Sequence, residues 1–167
     1  MSDTTPQPQP TEGADQQPAP LVISGQYIKD LSFEAPNAPA IFSQMTKAPD
    51  IPIQVDVQAR RLNDNYFEIV LHFNVQATVD ETPAFILELA YGAVVQVTPE
   101  QPEHLQPLLL IEAPRMMFPF ARNLIADITR DGGFPPLMLQ PIDFVQLYRS
   151  RMAQAAEQQQ QSDTPTN

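Results

Sequence analysis

Cysteine and tryptophan are absent from this chain of 167 residues, and glycine occurs only 5 times. The lack of cysteine excludes a disulfide scaffold, a thiol nucleophile and any Cys-ligated metal site. Basic residues are scarce as well, since 9 Lys and Arg stand against 20 Asp and Glu and leave a net charge of −11. Such an acidic chain repels phosphate groups. We therefore expect neither nucleic acid nor anionic membranes as partners, and favour basic or unfolded polypeptides.

Motifs for catalysis and cofactor binding are also missing. The 2 histidines, His72 and His104, lie far apart in the sequence, and no H-E-x-x-H, G-x-G-x-x-G, P-loop or G-x-S-x-G pattern occurs. We expect no enzyme activity, no cofactor and no metal. No run approaches the roughly 18 apolar residues that a membrane span requires. The sequence therefore predicts a soluble, cytoplasmic protein.

Proline is abundant, with 19 residues, and several of them fall in an amino-terminal tail rich in Pro and Gln. Residues 1–20 contain too few large apolar side chains to offset the entropy of ordering, so we predict a disordered tail. One domain is expected over residues 21–152. Residues 153–167 should hold the end of the last helix and a flexible Gln-rich tail, loose from about Gln158.

Four segments alternate apolar and polar residues with a period of two, which predicts half-buried strands at residues 21–33, 51–62, 67–75 and 85–97. In the first segment the odd positions, from Leu21 through Tyr27 to Phe33, form the predicted inner face. Turn-forming residues at 63–65 and 80–83 join the last three strands into a meander. A long connection after the first strand then gives a four-stranded antiparallel Greek-key sheet.

Two helices are predicted after the strands. The first covers residues 114–130, with an apolar stripe of Met117, Phe120, Leu124 and Ile128, and ends at two glycines. Residues 103–112 give only a weak helical pattern because Pro102 precedes them and Pro107 lies among them. The second helix begins at Asp143, which has Gln146 three positions later in a capping-box-like arrangement. Strands followed by helices predict an α+β fold with both main helices on one face of the sheet.

Charge is concentrated on the predicted outer face of the sheet. The strand phases place five carboxylates there, together with one apolar residue, Ile86; the acids are Asp30, Glu34, Asp56, Glu68 and Glu88. A solvated face is one interpretation of this pattern. The other is an acidic docking platform with a small apolar centre, on which charge would guide a basic partner.

Flexible and aromatic apolar residues occur outside the strands, among them Phe42 and Met45 in the long connection and Met138 between the helices. Core packing is the ordinary explanation. However, Met-rich and aromatic surfaces also adapt to ligands of different shape, so a groove between this connection and the helices is a second possibility. A single sheet with helices on one side also leaves an open strand edge, which oligomerisation would cover.

Several stretches resemble one known family. Residues 27–39 read YIKDLSFEAPNAP, residues 118–122 read FPFAR, and residues 133–137 and 139–144 read GFPPL and LQPIDF. These motifs are similar to those of SecB, the bacterial protein-export chaperone, and the similarity covers roughly residues 27–148. The Pro- and Gln-rich extension resembles those of alphaproteobacterial members.

The resemblance implies an ATP-independent chaperone that holds non-native precursor proteins unfolded and delivers them to the SecA motor. It implies a homotetramer, built as a dimer of dimers with sheets outside and long helices at the centre. It further implies that SecA docks on Asp30, Glu34, Ile86 and Glu88. Client grooves would run near Phe42, Met45, Met138, Leu139 and Phe144.

Two alternatives remain open at this point. A SecB-like chaperone dedicated to a toxin–antitoxin pair would have the same fold and a single antitoxin client. An oligomeric adaptor would dock a basic partner without holding unfolded chains.

Overall fold

A computed structural model describes residues 19–98 and 101–162, with side chains described up to residue 157. The sheet strands are β1 (Leu21–Glu34), β2 (Ile53–Arg61), β3 (Tyr66–Val79) and β4 (Thr82–Val97). The helices are α1 (Ala40–Gln44), α2 (Leu105–Pro107), α3 (Ala113–Asp131) and α4 (Phe144–Ser162). The predicted tail at 1–20 lies almost wholly outside the described residues, as does the end of the chain after residue 162.

The four strands form one antiparallel sheet in the order β1-β4-β3-β2. An Asx turn joins β2 to β3, because the Asn63 side-chain oxygen accepts hydrogen bonds from the amides of Asn65 and Tyr66. A two-residue turn, Asp80–Glu81, joins β3 to β4. The first strand pairs with the last strand of this meander, so β1 and β2 are the two sheet edges. An α+β fold with an antiparallel sheet agrees with the sequence prediction.

The predicted facing of β1 is wrong in its middle. Bulges interrupt the pairing between Ile23 and Gly25 and again between Ile28 and Asp30. Each bulge shifts the alternation by one residue, so Tyr27 lies on the outer face although its odd position predicted the inner one. The second bulge restores the predicted phase, and Asp30 and Glu34 face outward as expected. A strict period of two cannot reveal such paired interruptions.

The helical region begins before the predicted helix. A 3₁₀ turn (Pro102–His104) leads through α2 into a π-helical stretch (Leu108–Glu112), which continues directly into α3. Pro107 and Pro114 flank the π-helical stretch, and neither has an amide to donate to the preceding turn. The weak helical prediction for this region rested on Pro102 and Pro107, and the structure accommodates both, in the 3₁₀ turn and in α2. Pro119 lies inside α3 and does not end it.

The face of α3 that packs on the sheet differs from the predicted stripe. Met117, Ala121 and Ile125 are buried at a spacing of four. From the predicted stripe, only Met117 belongs to this face, whereas Phe120 is exposed. The other predicted residues, Leu124 and Ile128, are half-buried beside it. Helix α3 therefore carries two adjacent apolar faces, and only one of them is covered by the described residues of this chain.

Helix α4 is anchored at its start. The Asp143 carboxylate accepts a hydrogen bond from the amide of Gln146 at 3.0 Å, as the capping pattern predicted. Phe144 is buried against Phe118, with ring centroids 6.1 Å apart. Met152, further along the same helix, is exposed. The helix runs to Ser162, past the predicted start of the loose tail at Gln158, because Gln, Ala and Glu favour helix. No described helix is long and apolar enough to cross a membrane.

Candidate docking surface and apolar surfaces

The four residues implied as a docking site lie together on the outer face of the sheet. Glu34 is paired with Ile86, and the next outward pair joins Ser32 to Glu88. The outward pair after that joins Asp30 to Ala90. The side chains of Asp30, Glu34 and Glu88 are exposed, and Ile86 is half-buried among them. The patch is therefore acidic with a small apolar centre, as the sequence predicted.

A hollow of about 440 Å³ adjoins this patch in the middle of the sheet. Its lining includes Asp30, Asp56, His72 and Glu88 around the small side chain of Ala90. Asp56 is paired with Arg151 of α4 at 3.1 Å, and Glu88 accepts a hydrogen bond from Asn74. Within the described part of the chain, no group of three or more His, Cys, Asp or Glu is arranged to hold a metal ion.

Glu68, the remaining predicted outward acid, is not part of the exposed charge. The residue is only 6% exposed. Four donor groups surround its carboxylate. The hydroxyl of Tyr27 and the ammonium of Lys29 donate to Oε1, the ammonium at 2.6 Å. Arg60 donates through Nε and Nη2 to Oε2, at 3.1 and 3.0 Å. We call these four residues the Glu68 cluster.

The Glu68 cluster spans the sheet from edge to edge. Tyr27 and Lys29 come from β1, Glu68 from β3 and Arg60 from β2. The ring of Tyr27 crosses β4 above Gly92, where an added Cβ would lie 2.7 Å from the ring. Glycine at this position therefore leaves the space that the tyrosine needs.

The cluster changes the pKa of two of its members. The hydrogen bond from Lys29 is the main reason that the pKa of Glu68 falls to about 2, and the bond from Tyr27 adds to the effect. Burial, followed by the hydrogen bond to Glu68, raises the pKa of Tyr27 to about 12. At neutral pH the carboxylate is ionised and pairs with two cations, Lys29 and Arg60.

The assignment of Glu68 to an acidic platform is therefore wrong. The outer face is divided along the strands, with exposed carboxylates at the Asp30–Glu34 end and, at the other end, a cluster in which two cations surround one carboxylate. Sequence reasoning placed Tyr27 and Lys29 on the inner face and gave Arg60 no role. Only the register shifts of β1 bring these side chains to Glu68, and the sequence pattern carried no signal for them.

The five residues implied for client grooves do not share one surface. Phe42 and Met138 are 41% and 54% exposed, and Met45 is half-buried. Leu139 and Phe144 are only 3% and 1% exposed and belong to the core. These last two side chains cannot contact a client in the folded chain, because their own packing covers them. Only the family resemblance placed them near a groove, and the fold uses them as core residues.

An aromatic cluster lies under the exposed Phe42. Its ring is 5.1 Å from that of Phe134, which is itself 4.9 Å from Phe85 and 6.2 Å from Phe33. The cluster joins the long connection to two strands and to the loop after α3. Gly133, at φ 89°, lets the chain turn directly beneath Phe42. Phe42 is thus held on a rigid base with its outer side open to solvent.

Two further apolar hollows were not predicted. One, of about 520 Å³, lies between β1 and α3, and its lining includes Ile28, Tyr91, Phe120 and Leu124. The second, of about 640 Å³, lies between the β2 edge and the helices. The guanidinium of Arg151 closes part of it by donating to the Val57 carbonyl. The first hollow holds the apolar face of α3 that the chain leaves uncovered.

The fold has a solved counterpart. A SecB-like chaperone of Mycobacterium tuberculosis, solved in complex with a peptide from the HigA1 antitoxin, matches with a TM-score of 0.61. The match covers 73% of this chain and 90% of that one, at 12% sequence identity. The fold is therefore that of the SecB-like α+β proteins.

Sequence comparisons narrow this class. The family model described as preprotein translocase subunit SecB matches residues 14–155. The protein-export protein SecB of Rhodospirillum rubrum is 55% identical over 159 residues, which cover 95% of this chain and 94% of the relative. The protein-export protein SecB of Paramagnetospirillum magneticum is 54% identical over a match that covers 85% of this chain and 92% of the relative. This chain belongs to the SecB family, as its motifs indicated, and these relatives are alphaproteobacterial.

Proposed function

We propose that this protein is an export chaperone that binds unfolded precursor proteins without ATP, keeps them competent for translocation and delivers them to the SecA motor in the cytoplasm. The observation that carries the proposal is the identity of 54–55% with relatives named protein-export protein SecB, over 85–95% of this chain and 92–94% of the relatives. We propose no enzyme activity for it.

Docking of SecA is assigned to the outer-face patch of Asp30, Glu34, Ile86 and Glu88. Support comes from the exposure of its three carboxylates, which face one side around a half-buried isoleucine. Such an arrangement suits a basic partner surface, since exposed charge guides the encounter and the apolar centre is buried on contact. The assignment uses the face opposite to the helices, so a docked motor would leave the helical side open.

Client binding is assigned to the exposed ring of Phe42, together with Met45 and Met138. Support comes from the exposed ring of Phe42 on its aromatic base, and from the exposed, flexible side chain of Met138. Apolar contacts of this kind bind many sequences with little specificity. Leu139 and Phe144 are buried and are not among the proposed contact residues.

A pair of charge-altering variants tests both assignments at once. Asp30→Lys should weaken binding to SecA while leaving client holding intact, because it reverses charge only on the outer face. Phe42→Asp should do the opposite, since it places a carboxylate among apolar client contacts. Binding can be followed by titration calorimetry with SecA, and holding by suppression of client aggregation. Loss of both activities in Asp30→Lys would contradict the separation of the two surfaces.

A homotetramer, arranged as a dimer of dimers, is part of the proposal. The uncovered apolar face of α3 and the open edge of β1 both support assembly, since each would otherwise expose surface that proteins normally cover. The order β1-β4-β3-β2 supports the Greek-key topology expected of the protomer. Sedimentation equilibrium of the full chain tests the tetramer, and a stable monomer at micromolar concentration would contradict it.

A chaperone dedicated to an antitoxin remains the second candidate. It is favoured by the fold shared with the HigA1-bound protein, but identity to that protein is 12% against 55% for the export relative. An antitoxin-dedicated chaperone should protect one client and fail with unrelated precursors. Holding of several unrelated denatured precursors would therefore decide for the export function.

A further inference from the structure

Strand β1 reverses the facing of its side chains at Lys29. Tyr27 faces outward and Ile28 inward, so a regular strand would turn Lys29 outward and Asp30 inward. The register instead passes directly from Ile28 to Asp30 and leaves Lys29 without a pairing position. The bulge thereby turns Asp30 outward. Every second residue after it, Ser32 and then Glu34, also faces outward.

This bulge lies on an edge of the protomer's sheet. Within the described residues of one protomer, β1 pairs with β4 alone, so its ladder hydrogen bonds inside the protomer come from one side. A competing register without the bulge differs by a single residue. That slip would send every later side chain of β1 to the opposite face. Some additional contact is required to favour the bulged register.

Glu68 supplies this contact from a central strand. Its Oε1 accepts hydrogen bonds from Tyr27 and Lys29, the last outward residue before the bulge and the bulged residue itself. Arg60 holds the other carboxylate oxygen with two hydrogen bonds, which fixes the carboxylate plane. β3 is paired on both sides, so Glu68 stands on a rigid support.

We infer that Glu68 is a positioning residue for partner docking. Its hydrogen bonds with Tyr27 and Lys29 stabilise the β1 bulge, and this bulge turns the side chains of Asp30 and Glu34 toward the outer face. This inference rests on the docking function proposed for that face. Glu68 does not touch the partner in this arrangement. It acts through the direction of the exposed carboxylates.

The variant Lys29→Met separates positioning from a simple charge effect. It removes a cation from an acidic docking face, so an effect of charge alone would tighten the binding of a basic partner. A positioning effect has the opposite sign, because methionine cannot donate to Glu68 and the bulge loses a contact. We expect the Kd for SecA to rise about tenfold, the scale of one lost charge-assisted hydrogen bond.

Lys47→Met is the matched control. Lys47 forms an exposed ion pair with Asp80 at 2.9 Å, away from β1, so this variant removes the same charge and a salt bridge without touching the bulge. Its Kd should stay unchanged or fall slightly. Equal weakening in both variants, or tighter binding of Lys29→Met, overturns the inference.

A double-variant cycle tests whether Glu68 acts through the carboxylates of Asp30 and Glu34. Glu68→Gln should weaken docking in the natural chain but add little to the weakening caused by Asp30→Asn together with Glu34→Gln. Additive losses would mean that Glu68 acts separately, and would overturn the inference. If Asp30→Asn with Glu34→Gln leaves docking unchanged, the proposed docking function itself fails, which is a distinguishable result.

Client holding and tetramer mass are measured on each variant, so that a collapsed fold is recognised. Should Lys29→Met lose holding, Tyr27→Phe takes its place, because it removes only the hydroxyl donor to Glu68. Weakened docking of Tyr27→Phe with normal holding supports the inference, and unchanged docking overturns it.

Discussion

Replacement of Glu68 by Gln should destabilise the fold much more at neutral pH than at pH 3. The pKa of Glu68 is lowered from 4.5 to about 2 by the hydrogen bonds from Lys29 and Tyr27. Because the folded-state pKa lies below the unfolded one, the stabilisation is complete above about pH 5 and is lost as the pH falls toward 2. The shift corresponds to about 3 kcal/mol at pH 7 and about 1 kcal/mol at pH 3.

The measurement is urea unfolding at both pH values, with the same protomer concentration for the natural chain and the variant, since assembly links stability to concentration. Far-UV circular dichroism is the appropriate signal because the chain has no tryptophan. Glu103→Gln, which removes an equally negative but exposed side chain, is the control and should stay within about 0.5 kcal/mol at pH 7. A difference between Glu68→Gln and the natural chain that is the same at both pH values would contradict the reasoning.

Three smaller predictions concern other parts of the fold. Glu81→Gly should raise the free energy of unfolding by about 1 kcal/mol, measured by the urea midpoint, because Glu81 has a positive φ of 67°. Thr129→Val should lower it by about 1–3 kcal/mol in the same assay, since the buried hydroxyl accepts a hydrogen bond from the Leu137 amide that valine cannot replace. Between pH 10 and 12 the raised pKa of Tyr27 predicts a loss of stability, because ionisation is easier in the unfolded chain; Tyr27→Phe should remove this part of the loss.

Much of the fold follows from the alternation of apolar residues. The four strands, their short turns and the capped start of α4 are local features, and each leaves a local pattern. The outward facing of Asp30 and Glu34 was predicted correctly, but the prediction assumed an uninterrupted alternation along β1. Two bulges in β1 cancel each other, so the phase is correct at both ends of the strand and wrong at Tyr27. A one-residue irregularity has no signature in a binary pattern.

The sites that sequence reasoning missed depend on contacts between distant residues. Glu68 looked like a solvated acid because its strand position is outward, and only the folded sheet brings three donor residues from two other strands to it. Leu139 and Phe144 were placed near a client groove only through the family resemblance. Their burial follows from long-range packing, which no local pattern contains.

The central claim, that this chain holds unfolded precursors without nucleotide, has a direct test. A slowly folding secretory precursor is diluted from denaturant into buffer without ATP, in the presence or absence of the full-length protein, and light scattering and refolding are followed. The account predicts that a stoichiometric amount of tetramer stops both aggregation and refolding. A precursor that aggregates and refolds as if nothing had been added would contradict the chaperone function.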